Sequence, residues 1–125
     1  MDKKFLVTSF VYAIVGLVLG IYMAASKDHS QFVTHAHIML VGFLLSFIYG
    51  VCQKLWLGNP SGGVAQLQFY VHHASSVVLL IGLYLMFAGK FNAQSLGPVL
   101  GISSIGVLSG LLIMLFLIVR TDEIS

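Results

Sequence analysis

The stretch THAHIMLVGF, residues 34–43, places two histidines inside an otherwise apolar segment. A polar side chain in such a segment is costly unless it has a partner or a function. His35 and His37 are two residues apart, so on an α-helix their side chains point about 200° apart, at about 100° per residue. The two imidazoles therefore cannot easily serve one site, and if both are ligands they face different neighbours.

The composition is that of an integral membrane protein. Of the 125 residues, 58% are hydrophobic and 8% are charged, and the mean hydropathy is +1.00. A soluble domain of this size needs far more charge to cover its surface. The net charge of +2, without a basic patch, gives no reason to expect a nucleic-acid partner. The single cysteine, Cys52, excludes an internal disulfide.

Four apolar runs predict four transmembrane helices, at about residues 4–25, 32–56, 64–89 and 96–119. The first run has the basic start of a secretory signal, but its apolar length of about 20 residues fits a retained helix. Polar connections separate the runs, including a turn at residues 58–63. Short connections predict an all-α, up-down four-helix bundle in one domain, residues 1–125.

The charged residues predict the orientation in the membrane. The carboxylates are confined to the termini and the first loop, at Asp2, Asp28, Asp122 and Glu123. No acid is therefore available inside the membrane for a proton relay. One side carries Lys3, Lys4, Lys54 and Arg120, and the other carries Lys27 and Lys90. This bias predicts cytoplasmic termini in a bacterial inner membrane, with His35 and His37 near the outer face.

Depth in the membrane separates the two histidine pairs. Helices two and three form an antiparallel hairpin centred near Pro60; His37 is 23 residues before this proline and His73 is 13 after it. The mismatch of about ten residues corresponds to roughly 15 Å. A haem ligated on both faces needs two histidines at similar height. The partner of His37 is therefore expected from another copy of helix two, which predicts an oligomer.

His72 and His73 form a second pair of candidate metal ligands, adjacent and about 100° apart on one helix. In the alternative, structural role, hydrogen-bond partners are available at Gln66, Gln68, Ser75 and Ser76. For His35 and His37 the alternative is a pair of buried histidines bonded to serine or backbone groups.

Three further expectations concern packing and local bonding. Met39, one turn from His35, could join it in a copper site, although a buried methionine more often fills a gap. The Gly16-xxx-Gly20 pattern permits close helix approach, as do two similar glycine pairs in the fourth run. Serines within the helices are expected to bond back to their own helices, at Ser46, Ser103, Ser104 and Ser109.

Residues 34–50 resemble the His-x-His…Gly-Trp helix of subunit I in haem-copper oxidases, especially the cbb3-type oxidases and the related nitric oxide reductases. The matching residues are His35, His37 and Gly42, with Phe43 in place of the usual Trp. The resemblance implies that His35 binds a high-spin haem and His37 a low-spin haem, on opposite faces of the helix. It implies haem b, and hence iron, as the cofactor.

The resemblance also implies an assembly. Catalytic subunits of that family have twelve helices in three arcs of four, and the haem-binding helices are second in their arcs. The histidine pair here is also on the second of four helices, so a homotrimer would resemble one oxidase subunit. The family's copper histidines lie near the outer surface, whereas His72 and His73 are predicted at mid-membrane or lower, so the copper role is not carried over. Without counterparts of the cross-linked tyrosine and acidic channels, proton-pumping oxygen reduction is not expected.

Three functions follow as hypotheses. The first is a haem b protein for electron transfer or for binding oxygen or nitric oxide. Its expected partners are membrane lipid and a quinone or small redox protein. The sequence does not decide whether it is an enzyme. The second is a transporter or channel for a metal ion, a proton or a small solute, with the membrane histidines, Gln66 and Gln68 along its path. The third is an assembly subunit, based on small size and small-residue helix faces.

Overall fold

The structure, a computed structural model, describes residues 1–58 and 62–121. Within these ranges it consists of α1 (Asp2–Ser26), α2 (Phe32–Leu55), α3 (Gly63–Phe87) and α4 (Ala93–Arg120). Each helix is long and apolar enough to cross a membrane. The prediction of an all-α, multi-pass membrane chain is confirmed at this level. The bounds differ from the expected ones by three residues at most. Residues 59–61 of the predicted turn, Asp122 and Glu123 lie outside the described residues.

The largest difference is at the start of α4, which begins at Ala93 rather than near residue 96. Asn92 is the N-cap, and its side-chain oxygen accepts a hydrogen bond of 2.7 Å from the Ser95 backbone N–H. An asparagine in this position satisfies one of the free N–H groups of the first turn. The helix therefore starts at the cap, ahead of the apolar run.

Glycines set the close helix contacts. An ideal Cβ at Gly16 would lie 2.5 Å from Met39 Sδ, and one at Gly110 would lie 3.4 Å from His72 Cα. The Gly16 face of α1 thus packs on α2, and the Gly110 face of α4 packs on α3, as small residues in membrane helices permit. A Cβ at Gly97 or Gly101 would meet nothing within 4 Å. These two glycines of α4 are not used for packing inside the described bundle.

The middle of α2 is a π-helix, Ile38–Leu44, between the α-helical segments Phe32–His37 and Leu45–Leu55. It begins directly after His37 and contains Gly42, where an ideal Cβ would lie 2.6 Å from Tyr12 Cδ1. The ring of Tyr12 thus occupies the space that a larger residue at position 42 would need. π-helical turns inside α-helices are frequent at functional sites.

A core cluster of buried residues consists of Phe5 of α1, Tyr49 of α2 and Met114 of α4, and Phe69 of α3 packs against it. The outer surface is apolar, with large exposed side chains such as Ile14, Ile102 and Val119. Such a surface suits contact with lipid rather than water, because lipid chains are as apolar as the side chains themselves.

Candidate functional site

His35 lies in the interface between α1 and α2. Its Nδ1 is 2.8 Å from the backbone oxygen of Gly16, and an ideal Cβ at Gly20 would lie 3.0 Å from its Cε1. A carbonyl oxygen can only accept, so Nδ1 carries the hydrogen and donates it. In the neutral ring, Nε2 is therefore the nitrogen with the lone pair. The close approach depends on glycine at position 20.

His37 lies on a different face of α2. Its Nδ1 donates to the Val33 backbone oxygen, one turn earlier, over 2.9 Å. The same argument leaves Nε2 as the lone-pair nitrogen. Its neighbours on this face, Val33 and Leu40, are exposed, and the ring itself is only partly buried. In the neutral ring, the lone pair of His37 Nε2 therefore lies toward the apolar outer surface of the bundle.

The second pair, His72 and His73, lies at a different depth in the bundle from His35. The difference can be read from the residues of α1 that the histidines contact. His35 contacts α1 at Gly16 and Gly20, whereas His73 contacts it at Thr8 and Tyr12. The two levels are eight residues apart along α1, or about 12 Å at 1.5 Å per residue. Within the described part of the chain, no three histidine, cysteine, aspartate or glutamate side chains form a group that could hold a metal ion.

His72 is fully buried and hydrogen-bonded at both ring nitrogens. Nε2 is 2.8 Å from Ser46 Oγ on α2, and Nδ1 is 3.5 Å from Ser76 Oγ on its own helix. The expectation that Ser46 bonds back to its own helix is wrong, because its hydroxyl faces His72. Ser103, Ser104 and Ser109 do bond back to their own helices. Hydroxyls can donate or accept, so this environment permits either tautomer of His72.

His73 has one defined hydrogen-bond pattern. The Thr8 hydroxyl donates to the backbone oxygens of Lys4 and Phe5, so its oxygen accepts from His73 Nε2 over 3.1 Å. His73 Nδ1 then accepts from the Tyr12 hydroxyl over 3.0 Å. Both ring nitrogens of His73 thus have protein partners. This histidine joins α1 to α3.

Between His72 and the hairpin end of the bundle lies a patch of unpaired polar atoms. The buried side-chain nitrogen and oxygen atoms without a hydrogen-bond partner, among the residues described, are Tyr49 Oη, both amide atoms of Gln53, and Gln68 Oε1. Only Nε2 of Gln68 is bonded, to the Gly110 backbone oxygen over 3.2 Å. We call Tyr49, Gln53 and Gln68 the polar patch. Gln66, the other predicted glutamine, is exposed.

An open apolar groove of about 880 Å³ separates α1 from α3 toward the loop that joins α1 to α2. Tyr12 lies on its wall, together with Tyr84 and Asp28. The backbone N–H of Ser30 donates to Asp28 and, with the Ser30 side chain, lowers the pKa of that carboxyl. None of the membrane histidines lines this groove.

The sequence predicted the four membrane histidines as candidate site residues, but it did not predict most of the side chains that hydrogen-bond to them. Ser76 was among the expected partners of His72; Ser46, Thr8 and Tyr12 were not among those considered. Gln53 was also missed, although a glutamine in an apolar helix is itself a signal of a polar partner or a function. Comparison with known proteins gives no relative: no protein family, no curated protein and no solved structure matches the chain.

Proposed function

We propose that the protein binds b-type haem through His37, with His35 as ligand to a second haem, and acts in electron transfer or in binding oxygen or nitric oxide. The observation that supports it most is the pair of anchored imidazoles. Each donates Nδ1–H to a backbone oxygen, 2.8 Å away for His35 and 2.9 Å away for His37. Metal-ligating histidines typically fix the second nitrogen in this way, which orients the ring and makes the ligand nitrogen more basic.

The two candidate ligand nitrogens, Nε2 of His37 and Nε2 of His35, differ in how easily a haem can reach them. Nε2 of His37 lies on an outer face of α2 whose neighbours are exposed, so a flat macrocycle can approach it. His35 is held against Gly16 and Gly20, where access depends on the α1–α2 contact. Haem iron held by one histidine keeps a site for gas, and iron held by two serves as an electron carrier. His37 is therefore the stronger candidate of the two.

The second ligand of a His37-bound haem would come from another copy of the chain. His73 contacts α1 about 12 Å from the level at which His35 contacts it. His72 and His73 also use both ring nitrogens in hydrogen bonds. A trimer that resembles the twelve-helix oxidase core would bring copies of His37 to equal depth. We further propose cytoplasmic termini in a bacterial inner membrane, and a quinone or small redox protein as electron partner.

A haem titration tests this proposal. Haemin added to the detergent-purified protein is expected to give a saturable Soret shift in the wild type. In His37→Ala the affinity is expected to fall at least about tenfold, because even the loss of a residue that only orients a metal ligand typically costs about 10–100-fold. His29→Ala is the matched control, because His29 lies exposed in the loop between α1 and α2. Equal binding by all three proteins would overturn ligation by His37.

A second candidate function, transport of a proton, metal ion or small solute, is supported by different residues. His72 is fully buried beside two hydroxyls, and the polar patch lies on the same faces of α2 and α3. Intramembrane histidines commonly mark such pathways. Flux into liposomes that falls in His72→Asn but not in His37→Ala would support transport. Flux no greater than in protein-free liposomes would exclude it for the solute tested.

A further inference from the structure

The groove between α1 and α3 is a concave apolar surface that the described residues leave unfilled. Val15 and Val18 of α1 line one side of it, and Ile81 and Tyr84 of α3 line the other. These four side chains are 47% to 61% exposed. The buried Ile38 of α2 also lines the groove. Three helices therefore contribute to a surface of about 880 Å³ that is open to the surroundings of the bundle.

The groove occupies only one half of the bundle. In the other half, α1 and α3 are in contact, with the rings of Phe5 and Phe69 at a centroid distance of 4.8 Å. The last of these contacts toward the groove is the hydrogen bond of 3.0 Å between the Tyr12 hydroxyl and His73. Tyr12 also lines the groove. The two helices therefore separate beyond Tyr12, toward the loop that joins α1 to α2.

The length of the groove matches one leaflet of a membrane. Its lining extends from Val11 to Tyr22 along α1 and from Val77 to Ala88 along α3, which is eleven residues on each helix. Eleven residues of α-helix measure about 16 Å, and half of a typical hydrocarbon core is about 15 Å. A transmembrane helix of a second copy would cross both leaflets and match the groove over half its length. An acyl chain of one leaflet matches it fully.

The loop end of the groove carries charge. Among the described residues that line the groove, Asp28 is the one with a charged side chain. The Ser30 backbone N–H donates to this carboxylate over 3.0 Å, and the pKa of Asp28 is lowered, so the group is negative at neutral pH. Lys27 and His29 are exposed on either side of Asp28 in the chain. The loop therefore offers both signs of charge, which suits a zwitterion.

We propose that the groove binds a phospholipid with an ethanolamine headgroup, with one acyl chain lying along the groove as far as Tyr12. The ammonium group of this lipid donates hydrogen bonds to the Asp28 carboxylate. Tyr22 and Tyr84 line the same end of the groove, and their hydroxyls can donate to phosphate or ester oxygens. The lipid site is independent of both haem binding and transport.

The headgroup follows from the chemistry of Asp28. A primary ammonium has N–H groups that can donate to a carboxylate, as in a lysine side chain. The quaternary ammonium of a choline headgroup has no N–H group. A glycerol headgroup leaves the lipid with a net negative charge, which the Asp28 carboxylate repels. An ethanolamine lipid is therefore expected to bind more tightly than either of the other two.

A lipid titration followed by native mass spectrometry tests the headgroup. The delipidated protein is titrated with palmitoyl-oleoyl phosphatidylethanolamine, phosphatidylcholine or phosphatidylglycerol. We expect the first to bind most tightly, with one lipid retained per chain. Asp28→Asn keeps a side-chain oxygen for the Ser30 N–H and removes the charge. It is expected to weaken ethanolamine binding by about twofold to fivefold, as for one exposed ion pair. Equal affinity for the three lipids, or tighter binding of phosphatidylglycerol, would overturn the proposed headgroup contact.

A variant that fills the groove tests the location. Val15→Trp places a large side chain in the groove and is expected to abolish lipid retention. Ile14→Trp is the matched control, because Ile14 is the neighbouring residue, is 63% exposed and does not line the groove. A lipid that persists in Val15→Trp would contradict the site. Loss of subunit association with the lipid retained would show that a second copy occupies the groove and would overturn the proposal. The wild-type titration decides the headgroup even if Val15→Trp fails to fold.

Discussion

At the residue scale, the membrane histidines divide into two kinds by what their nitrogens contact. His72 and His73 place both ring nitrogens against side-chain hydroxyls. His35 and His37 anchor only Nδ1, on backbone oxygens. Burial of a polar atom without a hydrogen-bond partner costs free energy. The first pair is therefore satisfied inside the chain. For the second pair, no hydrogen-bond partner of Nε2 is found among the described residues, so this nitrogen can accept a ligand from outside the chain.

The Ser46–His72 hydrogen bond gives a prediction at this scale. Ser46→Ala leaves Nε2 of a fully buried histidine without its 2.8 Å partner. We expect a destabilisation of about 1–3 kcal/mol, the range for a buried polar group that loses its partner. Reversible unfolding in mixed detergent micelles measures it.

Ser104→Ala is the control, because Ser104 is exposed and bonds back to the Leu100 backbone oxygen of its own helix. Its expected effect is within about 0.5 kcal/mol. Equal unfolding free energies for the two variants would show that the hydroxyl of Ser46 does not stabilise His72.

At the element scale, the π-helical segment of α2 connects His37, the proposed haem ligand, to Ser46, the hydrogen-bond partner of His72. It lies between His37 and Ser46, and a π-helix turns less per residue than an α-helix. The segment therefore changes which face the residues after it present to α3. It also brings Gly42 against the ring of Tyr12, whose hydroxyl donates to His73.

Gly42→Ala tests this contact. The new Cβ would lie 2.6 Å from Tyr12 Cδ1 and 3.0 Å from Tyr12 Cβ, so the ring has to move. We expect about 1–3 kcal/mol of destabilisation, as for other overpacked cores, and a changed ¹⁵N chemical shift of the His73 ring as the Tyr12 bond is lost.

Gly101→Ala provides the comparison, because a Cβ at Gly101 meets nothing within 4 Å. It is expected to be neutral or stabilising by up to about 1 kcal/mol, the helix-propensity difference. An unchanged His73 signal in Gly42→Ala would contradict the described packing.

The helices were readable from the sequence because lipid imposes long apolar runs, and His35 and His37 were readable because imidazoles are rare in them. The π-helical segment could not be predicted from the sequence, since the pattern of apolar and polar residues around Gly42 does not distinguish a π-helix from an α-helix. The partners of His73 were not readable either. They depend on how α1 is rotated against α3, which packing at Phe5 and Tyr12 decides and spacing along one helix does not.

At the scale of the whole molecule, the bundle pairs α1 with α2 and α3 with α4, and α2 joins the two pairs through α3. The apolar outer surface is broad, and it includes the His37 face of α2 as well as Gly97 and Gly101 on α4. A free imidazole nitrogen on such a surface is unfavourable in lipid. An association that covers His37 would remove this penalty.

The proposed trimer is testable by native mass spectrometry from a mild detergent. Three copies are expected, with haem retained in the assembly. His37→Ala should lose the haem, while Ser104→Ala should keep both haem and stoichiometry. A haem-loaded monomer would contradict ligation between copies and leave the haem iron with one histidine or with a second ligand from the same chain.

The central claim is that His37 holds b-type haem, and an oxidised and dithionite-reduced visible spectrum tests it most directly. The purified wild type, expressed with haem supply, is expected to show a Soret band and a reduced α band typical of b-type haem. Both should vanish in His37→Ala and persist in His29→Ala. Sensitivity of the wild-type spectrum to carbon monoxide would separate gas binding from pure electron transfer. A featureless wild-type spectrum, or bands unchanged in His37→Ala, would contradict the claim.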